Sequence, residues 1–450
     1  MRLDLRLDDP AARATTIGVV VCVCGWLLYL ILSDFVVGAL TDERIRMAAA
    51  APAAAFITAP FTDDRIGVNP DVLTAAVSFF PNSPRLHMRV AEFRRRDGST
   101  WLAAEFHARQ ATRLSPHDYR PWLLLGSIQE YKGDLQSGEE SVRSALQLAP
   151  GDLGTHWQLG TLLLRRGNLA GSLEEYRVAS LGDTAYFEAA LKMVWRASSG
   201  KIDSVRAITP DNPKARLGLA RFLLEQSRPL ESAAIFREID RDALLGNPET
   251  SHYLNRLIAA GQLTLAHDLW CVLLDRESET PEATTNLIWN GGFESDILLD
   301  FAQFDWSIQP SNYARVSIDN NVAHGGHRSL RVDFLGRETT RLDEEIKQLT
   351  LVRPGARYQL DYYVKTDGVV APQGPRVVVT AATQRDWIAA SDPAPSGSND
   401  WQQRSLEFAA PSRAITVAIK QRPKFSYEDP THGTVWFDDF RIREVERSSR

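Results

Sequence analysis

The sequence repeats itself with a period of 34 residues between about Pro84 and Asp275. Apolar residues in this stretch follow the 3.6-residue spacing of helices, and small residues recur where two helices would cross closely. The recurrences are Pro116 with Pro150, Leu125-Gly126 with Leu159-Gly160, Gly133 with Gly167, and Ala145 with Ala179. Such a period predicts stacked helical units that bury a continuous core, with residues 187–211 the least regular.

These positions resemble the tetratricopeptide repeat (TPR), whose first helix carries W-x2-L-G-x2-Y. The matching residues are Trp122, Leu125, Gly126, Ala145 and Pro150 in one repeat, and Leu159, Gly160, Tyr176 and Ala179 in the next. Two departures stand out, because Gln129 replaces the tyrosine and Trp157 sits one place late. The resemblance implies an all-α TPR-like solenoid over residues 81–276 that docks a protein partner. The candidate partner-binding residues are Arg120, Gln129, Gln158 and Arg165.

After a polar linker at residues 277–287, the spacing changes from helical to the period of two that is typical of strands. Stretches such as Arg357–Lys365 and Ala414–Lys420 alternate or run apolar between Gly and Pro turns, so residues 288–446 are predicted to form an all-β sandwich. Alternation places Tyr358, Leu360 and Tyr362 on one face of a strand and Tyr363 on the other.

The landmarks of this region resemble the jelly-roll carbohydrate-binding modules of families 4 and 9. They are Asn290-Gly291-Gly292-Phe293-Glu294, Trp306, His324-Gly325-Gly326, Pro354-Gly355, Trp401 and Trp436-Phe437-Asp438-Asp439-Phe440. The resemblance implies a structural calcium ion held by Glu294 with Asp438 or Asp439, since Ca²⁺ takes oxygen ligands. The alternative is that Asp438 and Asp439 flank a buried strand and solvate its edges or bond to backbone amides. Sugar binding would use exposed aromatic rings, for which the candidates are Tyr363, Trp387, Phe425 and Tyr427.

Residues 15–33 carry no charge, and at about 1.5 Å per residue they would extend about 28 Å, close to a bilayer core of about 30 Å. We therefore expect residues 1–40 to form a cytoplasmic stub and a single transmembrane helix, followed by an Ala/Pro-containing spacer at 41–80. The arginines before the run predict a cytoplasmic N-terminus, an inner-membrane location and periplasmic C-terminal domains. The alternative is a signal peptide cleaved near Val37-Gly38-Ala39.

The net charge of −6 argues against a nucleic-acid partner, which would need a basic surface. No HExxH, GxGxxG, GxxxxGK[ST] or GxSxG motif occurs, so we expect neither an enzyme nor a bound cofactor other than the possible calcium.

The layout favours a membrane-anchored, non-catalytic scaffold of the cell envelope that docks a protein, with a role in polysaccharide synthesis or export. One alternative is a glycan-binding protein in which the solenoid is only a spacer. A weaker one is an accessory subunit of an envelope-processing or secretion machine. The sequence leaves the partner, the sugar and the oligomeric state open.

Overall fold

The computed structural model describes most of the chain after residue 69 together with helical residues near the N-terminus. The described residues are 18–29, 31, 37, 70–97, 100–182, 184–274, 286–297, 303–336, 340–382, 386–422 and 430–445. They belong to two compact units, Met1–Pro210 and Asp211–Arg450. The predicted order of helices first and antiparallel strands afterwards is confirmed.

The predicted transmembrane helix is contradicted. Within the described ranges, every helix is too short or too polar to cross a membrane. The inner-membrane location and the periplasmic placement of the later domains depended on that helix, and they are contradicted with it.

The first unit is built of helices joined by short turns. They are α1 Pro70–Phe79, α2 Pro84–Asp97, α3 Trp101–Leu114, α4 Tyr119–Lys132, α5 Leu135–Leu148, α6 Leu153–Arg165, α7 Leu169–Ala179, α8 Thr184–Ala197 and α9 Ile202–Ala207. Side chains at the helix starts cap free backbone N–H groups, as Asp134 does for Ser137 N and Asn168 for Gly171 N. Gly133 ends α4, and Gly167 ends the turn after α6. Their φ angles of 87° and 81° lie in the left-handed region, which glycine adopts without strain.

Small residues let the helices of one pair approach closely. A Cβ atom added to Gly126 of α4 would lie 2.4 Å from Val142 Cγ2 and 3.0 Å from the Gly138 carbonyl oxygen of α5. A Cβ added to Gly160 of α6 would lie 3.0 Å from the Tyr176 ring of α7. The recurring Leu-Gly pair of the sequence therefore marks the crossing point of each pair.

A ring N–H group at the fourth position of three first helices donates to the carbonyl oxygen of a proline six residues earlier. Trp122 Nε1 lies 3.3 Å from Pro116 O, and His156 Nε2 lies 3.0 Å from Pro150 O. His87 Nε2 lies 2.9 Å from the Pro81 carbonyl in the same way. His156 therefore makes the hydrogen bond that Trp122 makes in the preceding repeat. Trp157 is the next residue along the helix, so its ring is not part of this bond.

The second unit begins with five more helices and continues into the strands. The helices are α10 Pro213–Glu225, α11 Pro229–Arg237, α12 Arg241–Leu245, α13 Pro248–Ala259 and α14 Leu263–Leu273. Aromatic residues join α14 to the start of the β-rich part, since Trp270 lies 5.8 Å from the Trp289 ring and 5.7 Å from the Phe304 ring. His267 meets Phe304 edge to face at 5.1 Å. The last helix is therefore packed against the sandwich by ring contacts.

Two five-stranded antiparallel sheets form the sandwich. The first sheet has the order β1-β4-β9-β6-β7 and the second sheet has the order β2-β3-β10-β5-β8. The strands are β1 Ser307–Ile308, β2 Ala314–Asp319, β3 Ser329–Leu335, β4 Leu342–Leu351, β5 Arg357–Val370, β6 Arg376–Ala381, β7 Trp387–Ala390, β8 Gly397–Ala409, β9 Ala414–Gln421 and β10 His432–Glu444. Alternate residues of both sheets fill one core, including Tyr358, Leu360 and Tyr362 as the alternation predicts.

We predict that acid destabilises the first unit through His107. His87 Nε2 donates to the Pro81 carbonyl, and its Nδ1 lies 3.0 Å from His107 Nδ1. Burial, then the neighbouring His87 and Arg94, lower the pKa of His107 to about 4. Because this folded pKa lies below the unfolded value of about 6.5, the unfolded state binds the extra proton first. Stability is then lost as the pH falls from about 6.5 to 4, by up to about 3 kcal/mol.

Urea unfolding followed between pH 7 and pH 4 measures this loss in the wild type and in His107→Gln. The variant removes the titrating ring, so we expect its stability to depend less steeply on pH in that window. Equal slopes for the two proteins would contradict the assignment to His107.

Candidate functional site

The first and last segments of the sandwich are bound to each other, and this closure positions the residues around it. Asn286 Oδ1 accepts from the Ile442 amide at 3.0 Å, and Asn286 Nδ2 donates to the Phe440 carbonyl at 3.0 Å. Phe440 N donates to the Gly291 carbonyl at 2.9 Å. A Cβ on Gly291 would lie 2.1 Å from Phe440 O, so only glycine permits this approach.

Two acidic residues next to the closure, Asp438 and Glu294, hold the turn at residues 324–328. Asp438 Oδ2 accepts from His324 N at 2.7 Å and from Gly325 N at 3.2 Å. Glu294 Oε1 accepts from the backbone amides of His327 and Arg328 at 2.8 and 2.9 Å. Burial raises the pKa of Asp438 to about 6, whereas the amide of His327 lowers the pKa of Glu294. The glycine turn and the two ends of the domain are thus linked through carboxylates.

The calcium site predicted at Glu294 with Asp438 or Asp439 stays a prediction. In the ranges that the structure describes, no group of three or more His, Cys, Asp or Glu side chains is placed to hold a metal ion. Glu294 and Asp438 accept hydrogen bonds from backbone amides, and Asp439 Oδ2 lies 2.7 Å from His324 Nδ1. Asp438 bonds to backbone amides, as the alternative interpretation of this residue states.

An aromatic cluster lies beside this turn on the outer face of the second sheet. The His324 and Tyr363 rings are stacked with centroids 3.5 Å apart and an interplanar angle of 15°. The Trp401 ring meets His324 edge to face at 5.8 Å. A neighbouring ion pair joins Lys365 Nζ to Asp400 Oδ1 at 2.7 Å. Partly exposed rings beside fixed polar groups can stack on a sugar ring and bind its hydroxyl groups.

The structure describes two of the four predicted glycan residues, Tyr363 and Trp387, and places them on different sheets. Tyr363 belongs to the aromatic cluster, but Trp387 lies on β7 of the first sheet, which is the other side of the sandwich. Phe425 and Tyr427 lie outside the described residues. Sequence reasoning missed His324 and Trp401 as members of the cluster. Alternation along β8, where Leu406 and Phe408 are buried, would have placed Trp401 on the outer face.

A second candidate surface lies along the first helices of successive pairs in the first unit. We call it the ladder, and its residues are Arg95 of α2, Glu130 and Tyr131 of α4, Trp157 and Arg165 of α6, and Tyr186 of α8. Arg95 lies over the Tyr131 ring at 5.8 Å, and Arg165 Nη1 pairs with Glu130 Oε1 at 2.9 Å. The Trp157 and Tyr186 rings stack at 5.2 Å. Tyr131 is still 63% exposed.

The predicted partner-binding residues divide between surface and core. Arg165 is part of the ladder, and Arg120 is exposed in an ion pair with Asp118. Gln129 is only 2% exposed and its amide bonds to the Ser141 hydroxyl of α5 at 2.7 Å, so it packs between helices and cannot meet a partner. Gln158 is partly buried, and its Nε2 has no hydrogen-bond partner in the part of the chain described.

No protein-family model matches this chain, and no curated protein matches it. Solved structures with a similar fold include a carbohydrate-binding module of family 4, CBM4, with 20% identity and a TM-score of 0.26, covering 35% of this chain and 99% of that one. MamA has 11% identity and a TM-score of 0.26 and covers 51% and 95% of the two chains. The Yersinia enterocolitica type III secretion chaperone SycD, in complex with a peptide of the translocator YopD, has 18% identity and a TM-score of 0.22 and covers 27% and 88%.

These neighbours therefore include TPR-like helical proteins and a carbohydrate-binding jelly roll. At such low TM-scores they carry no argument about what this chain binds.

We predict that Glu294→Ala destabilises the sandwich by about 1 kcal/mol, because two backbone amides lose their acceptor. Asp296→Ala is the matched control, since its exposed ion pair with Arg328 should change stability by less than about 0.5 kcal/mol. Thermal unfolding of both variants in EDTA and in added Ca²⁺ measures the effect. A loss that appears only in the presence of Ca²⁺ would instead assign Glu294 to a cation.

Proposed function

We propose that the protein is a non-catalytic scaffold that docks a partner protein along the ladder. The observation that carries this proposal is that contacts between neighbouring first helices leave aromatic and arginine side chains partly exposed. Trp, Tyr and Arg are the residue types that dominate binding energy at protein interfaces.

The rigidity of the array supports the same proposal. The N-caps, the close Gly126 and Gly160 crossings and the ring bonds to proline carbonyls hold each helix in place. The stacking of Trp157 on Tyr186, and of Tyr131 on Trp101 at 5.6 Å, restricts the ring rotamers before a partner arrives. A surface that is ordered in advance loses less conformational entropy on binding. Arg95 lies over the exposed Tyr131 ring, and the preceding residue Glu130 pairs with Arg165, so the docked segment would combine apolar and charged groups.

We predict that Tyr131→Ala weakens partner binding about tenfold or more, the loss expected for an interface hot spot. Because Tyr131 is largely exposed, this change should leave the fold intact, as circular dichroism would show. The full-length wild type is used to capture and identify a partner, whose affinity for each variant is then measured by titration. Arg177→Ala is the control, since Arg177 is exposed on the second helix α7 and pairs only with Glu174 among the described residues. Docking along the ladder would be contradicted if both variants weakened partner binding equally, or if neither variant weakened it.

A second candidate function is glycan binding by the aromatic cluster, which the stacking of His324 on Tyr363 beside Trp401 favours. The His324 ring contacts Asp439 Oδ2, and its backbone amide donates to Asp438 Oδ2. These contacts fix the aromatic cluster before a ligand binds. A role in polysaccharide synthesis or export remains a prediction that depends on this candidate.

We predict that Trp401→Ala abolishes retardation of the full-length protein in affinity gels containing dextran, xylan or barley β-glucan, because the ring available for stacking is lost. Glu407→Ala, an exposed change on the same strand β8, should leave the retardation unchanged. A wild-type protein that none of these gels retards, or a Trp401 variant that is retarded as strongly as the wild type, would contradict this candidate.

A further inference from the structure

Two histidine rings face each other where α2 packs against α3. His87 Nδ1 lies 3.0 Å from His107 Nδ1, and the ring centroids are 5.2 Å apart. His87 is only 5% exposed, and its Nε2 donates to the Pro81 carbonyl at 2.9 Å. Only one hydrogen atom fits between two ring nitrogens at this distance, so a hydrogen on each Nδ1 would push the rings apart.

The corresponding histidine of a later helix pair has a different partner. His156 of α6 also donates to a proline carbonyl through Nε2, but its Nδ1 lies 2.6 Å from Glu175 Oε2 of α7. Both ring nitrogens of His156 therefore face oxygen acceptors, and a hydrogen on each of them has a partner. The same position thus carries an acid-tolerant contact in the α6–α7 pair and an acid-sensitive contact in the α2–α3 pair.

The charge next to the two rings is positive. Burial, His87 and Arg94 of α2 together lower the pKa of His107 to about 4. The described side chains of α1, residues 72–79, carry no charge. Within the described ranges neither ring forms an ion pair, so a further proton on either ring would be an uncompensated charge.

Each described carboxylate of α2, α3 and α4 already belongs to an ion pair. These pairs are Glu92 with Arg89 in α2, Glu105 of α3 with Arg109 and with Lys132 of α4, and Glu130 of α4 with Arg165. A proton added to the histidine pair therefore lacks the kind of partner that Glu175 provides for His156.

The same two helices hold the most exposed ring of the ladder. Tyr131 of α4 stacks on Trp101 of α3 at 5.6 Å, and Arg95 of α2 lies over it at 5.8 Å. Trp101 and His107 are six residues apart on α3, which is less than two turns of the helix. A displacement of α3 against α2 therefore changes the contacts of Tyr131 on both of its sides.

We propose that the His87–His107 contact is a pH-sensitive switch of the ladder: acid favours an open form in which α2 and α3 separate and the contacts of Tyr131 with Arg95 and Trp101 are lost. That the open form cannot dock a partner rests on the function proposed above. The folded pKa of His107, about 4, lies below the unfolded value of about 6.5. The closed form is therefore fully stabilised above about pH 6.5 and loses stability as the pH falls towards about 4.

Amide hydrogen exchange of the full-length protein without a partner, expressed as protection factors at pH 7.5 and pH 5, measures the opening. We expect the protection of α2, α3 and the Tyr131 end of α4 to fall about 30-fold, because the opening constant rises by that factor for the two pKa values of His107. The α6–α7 pair, in which His156 meets Glu175, is the internal reference and should change by less than about threefold.

Two variants of His107 and one control separate the switch from a general sensitivity to acid. His107→Gln removes the titrating ring, so the protection should no longer depend on pH in this range. His107→Glu reproduces the contact of His156 with Glu175, so the protection of α2 and α3 should stay constant or rise at pH 5. His117→Gln, an exposed change in the turn after α3, should behave like the wild type.

Three results would overturn the proposal. The first is a pH dependence that His107→Gln leaves unchanged. The second is an equal loss of protection in α2–α3 and in α6–α7, since the acid effect would then be general. The third is an opening of α2 and α3 that leaves the Tyr131 end of α4 protected, because the histidine pair would then be uncoupled from the ladder.

A captured partner provides a separate readout of the link to docking. A partner that binds only the closed form opposes the opening, so at 100 times its Kd it should raise the protection of α2 and α3 about 100-fold at pH 5. A bound partner that leaves this protection unchanged would overturn the control of docking by the switch. If Tyr131→Ala leaves partner binding intact, docking along the ladder fails, and the exchange measurements without a partner still decide whether the switch exists.

Discussion

The hydrogen bonds that join residues 286–291 to the last strand are the constraint on which the sandwich depends. Asn286 and Gly291 bind β10 near Phe440, so the two ends of the domain become neighbouring segments. Phe440 then packs against Trp306 at 5.0 Å and Tyr362 at 5.2 Å in the core. On the opposite side, Asp438 and Asp439 hold the turn that presents His324 to Tyr363. Core and candidate surface therefore depend on the same closure, because adjacent residues of β10 serve both.

The helical array depends on a more local interaction that is repeated. A ring N–H group at the fourth position of a first helix satisfies the proline carbonyl before it, whether the ring belongs to His87, Trp122 or His156. The requirement is for a planar donor and not for tryptophan. In the repeat where His156 makes this bond, the following Trp157 stacks on Tyr186 instead. The tryptophan of this repeat therefore belongs to the ladder and not to the contact with proline.

The two outer faces of the sandwich differ in how their charges are satisfied. On the second sheet, Arg331 Nε pairs with Asp333 Oδ1 at 2.9 Å and the guanidinium lies over Trp436, whose Nε1 donates to Asp319 Oδ2 at 2.9 Å. The described end of the first sheet instead leaves Lys420 opposite Arg376 without a carboxylate partner.

The sequence by itself determined which segments are helices and which are strands, and which residues of a strand face the core. The 34-residue period placed the helix pairs, and alternation placed Tyr358, Leu360 and Tyr362 inside, because the helical and extended backbones impose their periods locally. Only the tertiary structure decided that Gln129 is buried and that Tyr363 and Trp387 lie on different sheets. It also placed Arg376 opposite Lys420, 44 positions apart in the sequence. Such placements follow from which strands pair across long connections, and no local period records that pairing.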